Sequence, residues 1–234
     1  MSTNTETDFI LSGIRGARQI YFLHIPSLCS STLAIKHNSI AITHNKEFIL
    51  VASATKLFIY SFKKRLLLET FTITGVTHLF IYQQKKCIAV SNTGKIVLAN
   101  LPTDHQSLLI VFTQETENEL SACTFDSSRQ LLFCGYKNGN IQTFQLKNQK
   151  LVVFNFITLD TEWLTCLLYI PEPQLLLVGS WNHHLYLIND KGKVKRKITT
   201  QSSPLSLFQI PQTTMWGIGC YDGSITSFTP FELF

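Results

Sequence analysis

The sequence predicts an all-β fold built from a small antiparallel sheet repeated along the chain. Three observations carry that prediction. The first is a period. An apolar residue that opens a strand after a tight polar turn recurs at Ile20, Leu57, Ile96, Ile141, Leu185 and Ile225, at separations of 37, 39, 45, 44 and 40 residues. Spacing in this range marks supersecondary units that stack on one another. The second is turn chemistry: Asn138-Gly139 and Asp222-Gly223 each separate two apolar runs, and such pairs supply the positive φ values that a two-residue hairpin needs. The third is a register of glycines. Gly135, Gly179 and Gly219 each stand six residues before a marker residue, where neighbouring backbones are expected to approach closely.

The elements follow in order. FILSGI (9–14), QIYFLHI (19–25) and STLAIK (31–36) read as three strands with no room for another before them. SIAITH (39–44), FILVAS (48–53), the Thr55-Lys56 turn and LFIYSF (57–62) open the first complete unit. VTHLFIY (76–82), CIAVS (87–91), Thr93-Gly94 and IVLANL (96–101) repeat it. The clearest copy is LSACTFD (120–126), LLFCGY (131–136), the Asn138-Gly139 turn, IQTFQL (141–146) and LVVFNFI (151–157). Its first and third strands alternate apolar with polar, as half-buried strands do, whereas LLFCGY is continuously apolar and reads as covered on both faces. LTCLLYI (164–170), LLLVGS (175–180), Asn182-His183 and LYLI (185–188) come next. LSLFQIP (205–211), MWGIGC (215–220), Asp222-Gly223 and ITSF (225–228) form a last, three-stranded unit.

The stretch ELSACTFDSSRQLLFCGYKNGNIQTFQL (119–146) resembles a WD40 repeat, and the resemblance extends over most of residues 9–229. Where Trp-Asp would close the third strand the chain has Tyr60-Ser61, Phe144-Gln145 and Phe228-Thr229, and the opening Gly-His pair is absent. The resemblance implies a WD40-like β-propeller of five or six four-stranded blades, and a platform for protein–protein interaction rather than an enzyme. Kelch-type double glycines and sialidase-type Asp boxes, the marks of enzyme-bearing propellers, are missing.

Composition agrees with one such domain over residues 9–234, after a flexible segment at 1–8. The chain has 234 residues, 45% of them hydrophobic, enough for a sizeable core. Only 15% are charged, against about 25% in a typical soluble domain, which suits a chain with much buried surface. No run approaches the ~18 apolar residues of a membrane span, and the polar, acidic start MSTNTETD lacks the pattern of a signal peptide. The expected location is inside the cell, cytoplasmic or nuclear. Cys87, Cys123, Cys134, Cys166 and Cys220 fall within strands and form no C-x-x-C pair, so they read as small buried hydrophobes in a reducing compartment, with no zinc site.

Signals for chemistry are sparse. Glu115, Glu117 and Glu119 lie in one predicted inter-sheet loop, and Asp160 with Glu162 in the next. Paired carboxylates can perform acid–base hydrolysis, but a solvated polar loop that ends strand pairing is the preferred reading, because no base, nucleophile or ligand recurs beside them. His183-His184 occupies a hairpin tip, and adjacent histidines point apart on a strand. Trp163, Trp181 and Trp216 read as packing residues, with Trp181, just before a hairpin tip, also placed to reach a binding surface. No Gly-rich loop precedes a helix, and no cofactor is expected.

The densest charge cluster is KGKVKRK (191–197), read as a hairpin around Gly192 with its lysines in water. In a four-stranded blade the turns between strands 1–2 and 3–4 share one face. That face would gather fourteen lysines and arginines against five carboxylates. Its candidate interaction residues are Lys63, Lys64, Arg65, Lys191, Lys193, Lys195, Arg196 and Lys197. The opposite face would carry Lys56, Lys95 and Lys137 against six carboxylates. A disc polarised in this way attracts acidic partners. Two ring closures fit the strand count: STLAIK could complete the last unit and close five blades, or six blades could form with one deficient and a partner supplying the missing strand. The function expected from the sequence is a non-enzymatic scaffold subunit of an intracellular protein complex. The alternatives are a binder of nucleic acid or acidic lipid through the basic face, and a propeller hydrolase.

Overall fold

The computed structural model describes residues 41–103, 106–116, 118–210, 213 and 215–229, together with the backbone of 9–12, 19–24 and 29–34. Expectations placed on residues 1–8, Ser39, Asp104, Glu117 and 230–234 lie outside the described residues. The chain divides into two compact units, Met1–Glu115 and Thr116–Phe234.

The first unit contains three antiparallel sheets in which each strand pairs with the next in sequence. They are β1 (Phe9–Ser12), β2 (Gln19–His24) and β3 (Cys29–Ala34); β4 (Ala41–His44), β5 (Phe48–Ala52), β6 (Lys56–Ser61) and β7 (Leu67–Thr72); and β8 (Val76–Tyr82), β9 (Lys86–Ser91), β10 (Ile96–Asn100) and β11 (Leu109–Gln114). The second unit repeats the plan with β12 (Leu120–Asp126), β13 (Leu131–Tyr136), β14 (Asn140–Lys147) and β15 (Lys150–Thr158); β16 (Leu164–Ile170), β17 (Leu175–Ser180), β18 (His184–Asn189) and β19 (Val194–Thr199); and β20 (Pro204–Gln209), β21 (Trp216–Cys220) and β22 (Ile225–Phe228). Among the described residues four sheets have four strands and two have three. STLAIK therefore begins within β3 on the edge of the first sheet, hydrogen-bonded to β2, with Leu33 opposite Ile20.

Burial follows strand position. The second strand of each complete sheet is almost wholly buried, as in β5, β13 and β17, and β17 has a sheet against each face. The fourth is mostly exposed, as in β7, β15 and β19. Apolar layers fill the space between successive sheets: Leu50, Ile59, Leu79 and Val97 in the first unit, and Phe133, Ile141, Leu167 and Val178, then Leu177, Leu187, Trp216 and Ile218, in the second. Each such side chain contributes roughly 1.5–3 kcal/mol by leaving water. At Gly179 the space belongs to side chains rather than to neighbouring backbone, since a Cβ there would lie 2.5 Å from Cys166 Sγ and 2.9 Å from Pro204 Cβ.

Two irregularities recur. The first strand carries one extra residue against its neighbour at Thr77, Ser121, Thr165 and Leu205. The fourth strand carries one at Leu68, Val111, Phe154 and Lys195. Each is a β-bulge, which bends the strand and increases its twist.

Candidate functional site

In the second unit the turns between second and third strands meet the connections between sheets. A relay of hydrogen bonds stitches them together. Trp163 N donates to Lys137 O, Trp181 N to Trp163 O at 3.0 Å, and Tyr221 N to Ser203 O at 2.9 Å. Ser203 Oγ donates to Trp181 O at 2.6 Å. Gly139, with φ +81°, permits the approach: a Cβ there would fall 1.8 Å from Thr161 O.

The relay lays three aromatic rings side by side. Trp163 stacks on Trp181 with centroids 5.4 Å apart and planes at 23°. Trp181 meets Tyr221 edge to face at 5.2 Å and 68°. Lys137 Nζ sits 5.3 Å from the centre of the Trp163 ring. The rings remain 46%, 39% and 67% exposed for Trp163, Trp181 and Tyr221. Trp163 also holds a left-handed backbone, φ +50°, which costs a bulky residue about 1–3 kcal/mol. Of the three tryptophans only Trp216 packs in the core, at 5% exposure. Trp163 is a surface residue, contrary to its sequence reading, and its positive φ left no mark in the apolar pattern.

Charge around the ladder is local and mixed. Lys137 pairs with Glu119, and Lys197 Nζ lies 2.8 Å from Asp160 Oδ2. The hydroxyl of Tyr186 donates to Asp160 Oδ1 at 2.9 Å. Hydrogen bonds from Lys197 and then Tyr186 hold the Asp160 carboxyl below its usual pKa, and the same contact with Asp160 raises Lys197. Asp222 accepts from Ser224 Oγ at 2.6 Å and from Ser224 N at 3.0 Å, bonds that lower its pKa. Glu162 is exposed. His183, φ +59°, fills the left-handed turn position that Gly139 and Gly223 hold elsewhere. Burial lowers the pKa of neighbouring His184, whose ring meets Tyr186 edge to face at 6.0 Å.

The structure divides the predicted basic residues. Lys63 and Lys64 are exposed in the turn after β6, and Arg65, half-buried with φ 52°, closes it by donating from N to Ser61 O at 2.8 Å. Lys191 and Lys193 flank Gly192, φ +78°, in the hairpin between β18 and β19. Lys195, Arg196 and Lys197 run along β19 instead of remaining in the turn. Lys195 is the bulged residue, and Lys197, opposite Tyr186, ends on Asp160. Lys197 thus neutralises a carboxylate that the sequence assigns to the other face.

The acidic loops are similarly occupied. Glu115 lies 4.0 Å from Lys95, Glu119 holds Lys137, and Asp160 holds Lys197. A general acid needs a raised pKa, and Asp160 moves the other way. Among the described residues no cluster of three or more His, Cys, Asp or Glu could hold a metal ion. Cys87, Cys123, Cys134 and Cys166 are buried free thiols and Cys220 is half-buried. Burial pushes Cys87 up to about 12 and Cys166 up to about 11, so both stay protonated and unreactive.

Comparison with known proteins gives a distant picture. No family model matches the sequence. Over 138 residues the chain is 27% identical to Cilia- and flagella-associated protein 337 B of Tetrahymena thermophila, covering 58% of this chain and 11% of that protein. The match thus spans about a tenth of that relative's length. A chain in the crystal structure of the mitotic checkpoint complex superposes with a TM-score of 0.78 at 16% identity, covering 94% of this chain and 70% of that one. The fold is all-β, a series of three- and four-stranded antiparallel sheets consistent with those of a WD40-like propeller.

Proposed function

We propose that this chain is a non-catalytic WD40-like interaction subunit of an intracellular multiprotein assembly, cytoplasmic or nuclear, whose sheets present surfaces to other proteins. The observation that carries this reading is β15. Val152, Val153, Phe154 and Phe156 are 51%, 54%, 56% and 55% exposed along the outer strand of a sheet. The equivalent stretch of β19 is Lys195-Arg196-Lys197, the kind of charged edge that keeps sheets apart. A cluster of large apolar side chains on an outer strand marks a surface that another protein covers. Support also comes from β22, which pairs with β21 on one side and whose Ile225 is 73% exposed. Beside it runs a groove of about 360 Å³ lined by Leu185, Ile198, Ile218 and Phe228. A strand donated by another subunit would complete that sheet by main-chain pairing. The fold's likeness to a chain in a checkpoint assembly, and a relative named for cilia and flagella, agree with membership of a complex.

The test is affinity purification from cells of the wild type and of V153K/F156K, whose side chains are exposed enough for the fold to survive. Loss of stoichiometric partner proteins from the variant, at unchanged melting temperature, supports the reading. An unchanged partner set, with binding to RNA or phosphoinositide vesicles that weakens steeply with salt and on reversing Lys191 and Lys193, would favour the basic-surface alternative.

A further inference from the structure

Trp163, Trp181 and Tyr221 touch one another yet remain exposed, so their contact does not serve to bury them. It fixes their orientation. Each residue's own backbone takes part in the hydrogen-bonded relay, so three ring faces are held in place before anything binds. Preorganised aromatic surface of this kind lowers the cost of binding.

The charge pattern says what would bind. Four carboxylates lie in the connections and turn that form the ladder's surroundings in sequence, Glu119 before β12, Asp160 and Glu162 between β15 and β16, and Asp222 between β21 and β22. Glu119 and Asp160 are neutralised by Lys137 and Lys197. Glu162, next to Trp163, and Asp222, next to Tyr221, pair with no lysine or arginine among the described residues. Each end residue of the ladder is therefore neighboured in sequence by an exposed carboxylate that pairs with no lysine or arginine among the described residues. One ring already faces a cation, since Lys137 Nζ lies 5.3 Å from the Trp163 ring centre. Aromatic faces attract cations through the ring quadrupole, and a planar guanidinium stacks on indole better than an ammonium does. Steps of 5.4 and 5.2 Å between rings span about three residues of extended chain at ~3.3 Å each.

We propose that the Trp163–Trp181–Tyr221 ladder binds an extended, arginine-bearing segment of a partner protein. A guanidinium stacks in the corner between Trp181 and Tyr221, and flanking cations of the segment pair with Glu162 and Asp222. The ladder shares no residue with the exposed stretch of β15, so variants of the two test them separately. Single-stranded nucleic acid also stacks on aromatic rings, but its phosphates would meet the two unpaired carboxylates.

The experiment is selection of a displayed library of random short peptides on the purified full chain, followed by titration of the selected peptides. Tryptophan fluorescence reports binding, with buried Trp216 as an unchanging background. Selected peptides should be rich in arginine, and replacing their arginines by citrulline should abolish binding. W181A should weaken them at least tenfold. E162Q/D222N, which leaves the rings and the backbone relay in place, should weaken them several-fold and flatten their salt dependence. Peptides selected without arginine, binding that survives citrulline or is indifferent to both variants, or stronger binding of a uridine decamer would overturn the proposal.

Discussion

His78 lies on β8, with its Nδ1 3.0 Å from Thr77 Oγ1. Burial pushes its pKa down to about 4, from 6.5 in an exposed histidine. Between those values the unfolded chain binds a proton that the folded chain does not, so this residue favours unfolding as pH falls through the window. One such site changes stability by at most about 1.4 kcal/mol per pH unit. We expect acidification from pH 7 to pH 5 to cost the wild type about 2 kcal/mol more than H78Q, read from urea midpoints at both values. His44, also lowered by burial, is common to both proteins and cancels in the difference. At this scale the sequence speaks unevenly. Asn138-Gly139 announces its turn because few other residues hold its backbone angles. Trp163 and Trp216 look alike in the sequence, yet the first has a positive φ and an exposed ring while the second is buried.

At the scale of the element, the turn between β12 and β13 shows how a short polar segment joins two sheets. Asp126, 5% exposed, accepts from Ser128 N at 2.9 Å, Ser128 Oγ at 2.6 Å and Arg129 Nε at 2.9 Å. Burial works to raise its pKa, but the bonds from Ser128 and Arg129 prevail and lower it. Arg129 in turn lies 4.5 Å from the ring centre of Tyr169 in the next sheet and donates to Gln174 Oε1 at 3.3 Å. Asp126→Ala should cost about 2 kcal/mol at pH 7 and Asp126→Asn less, because the amide oxygen still accepts. The depressed pKa means that this contribution is present above about pH 4 and is lost as acid titrates the carboxyl in the folded state. A mutant penalty unchanged between pH 7 and pH 2.5 would refute that assignment. The strands themselves were largely legible: LSACTFD, LLFCGY, LTCLLYI and LLLVGS coincide with β12, β13, β16 and β17. The bulges were not. Alternation assigns faces by counting in twos, and one extra residue at Lys195 breaks the count. Lys197 reaches Asp160 because β19 carries it away from the Gly192 hairpin to a place opposite Tyr186, whose hydroxyl holds the same carboxylate.

For the molecule as a whole, the period was the most legible property, because each sheet comes from one contiguous stretch and its turns recur with it. The aromatic ladder was not, since Trp163 precedes β16, Trp181 lies in the turn between β17 and β18 and Tyr221 in that between β21 and β22, and only the backbone relay and ring contacts of the folded chain unite them. The contiguous pairing also has a mechanical consequence. Among the described residues every ladder joins neighbours in sequence, so tension along the chain can peel a sheet hairpin by hairpin without first dismantling another ladder. One repeat of ~40 residues releases roughly 130–145 Å of contour when drawn straight. Pulled in an optical trap, the protein should lengthen in several steps of about that size, whereas a single rupture releasing the whole chain would mean that the sheets yield only together. A protein that lengthens in steps would absorb load while part of its fold stays intact.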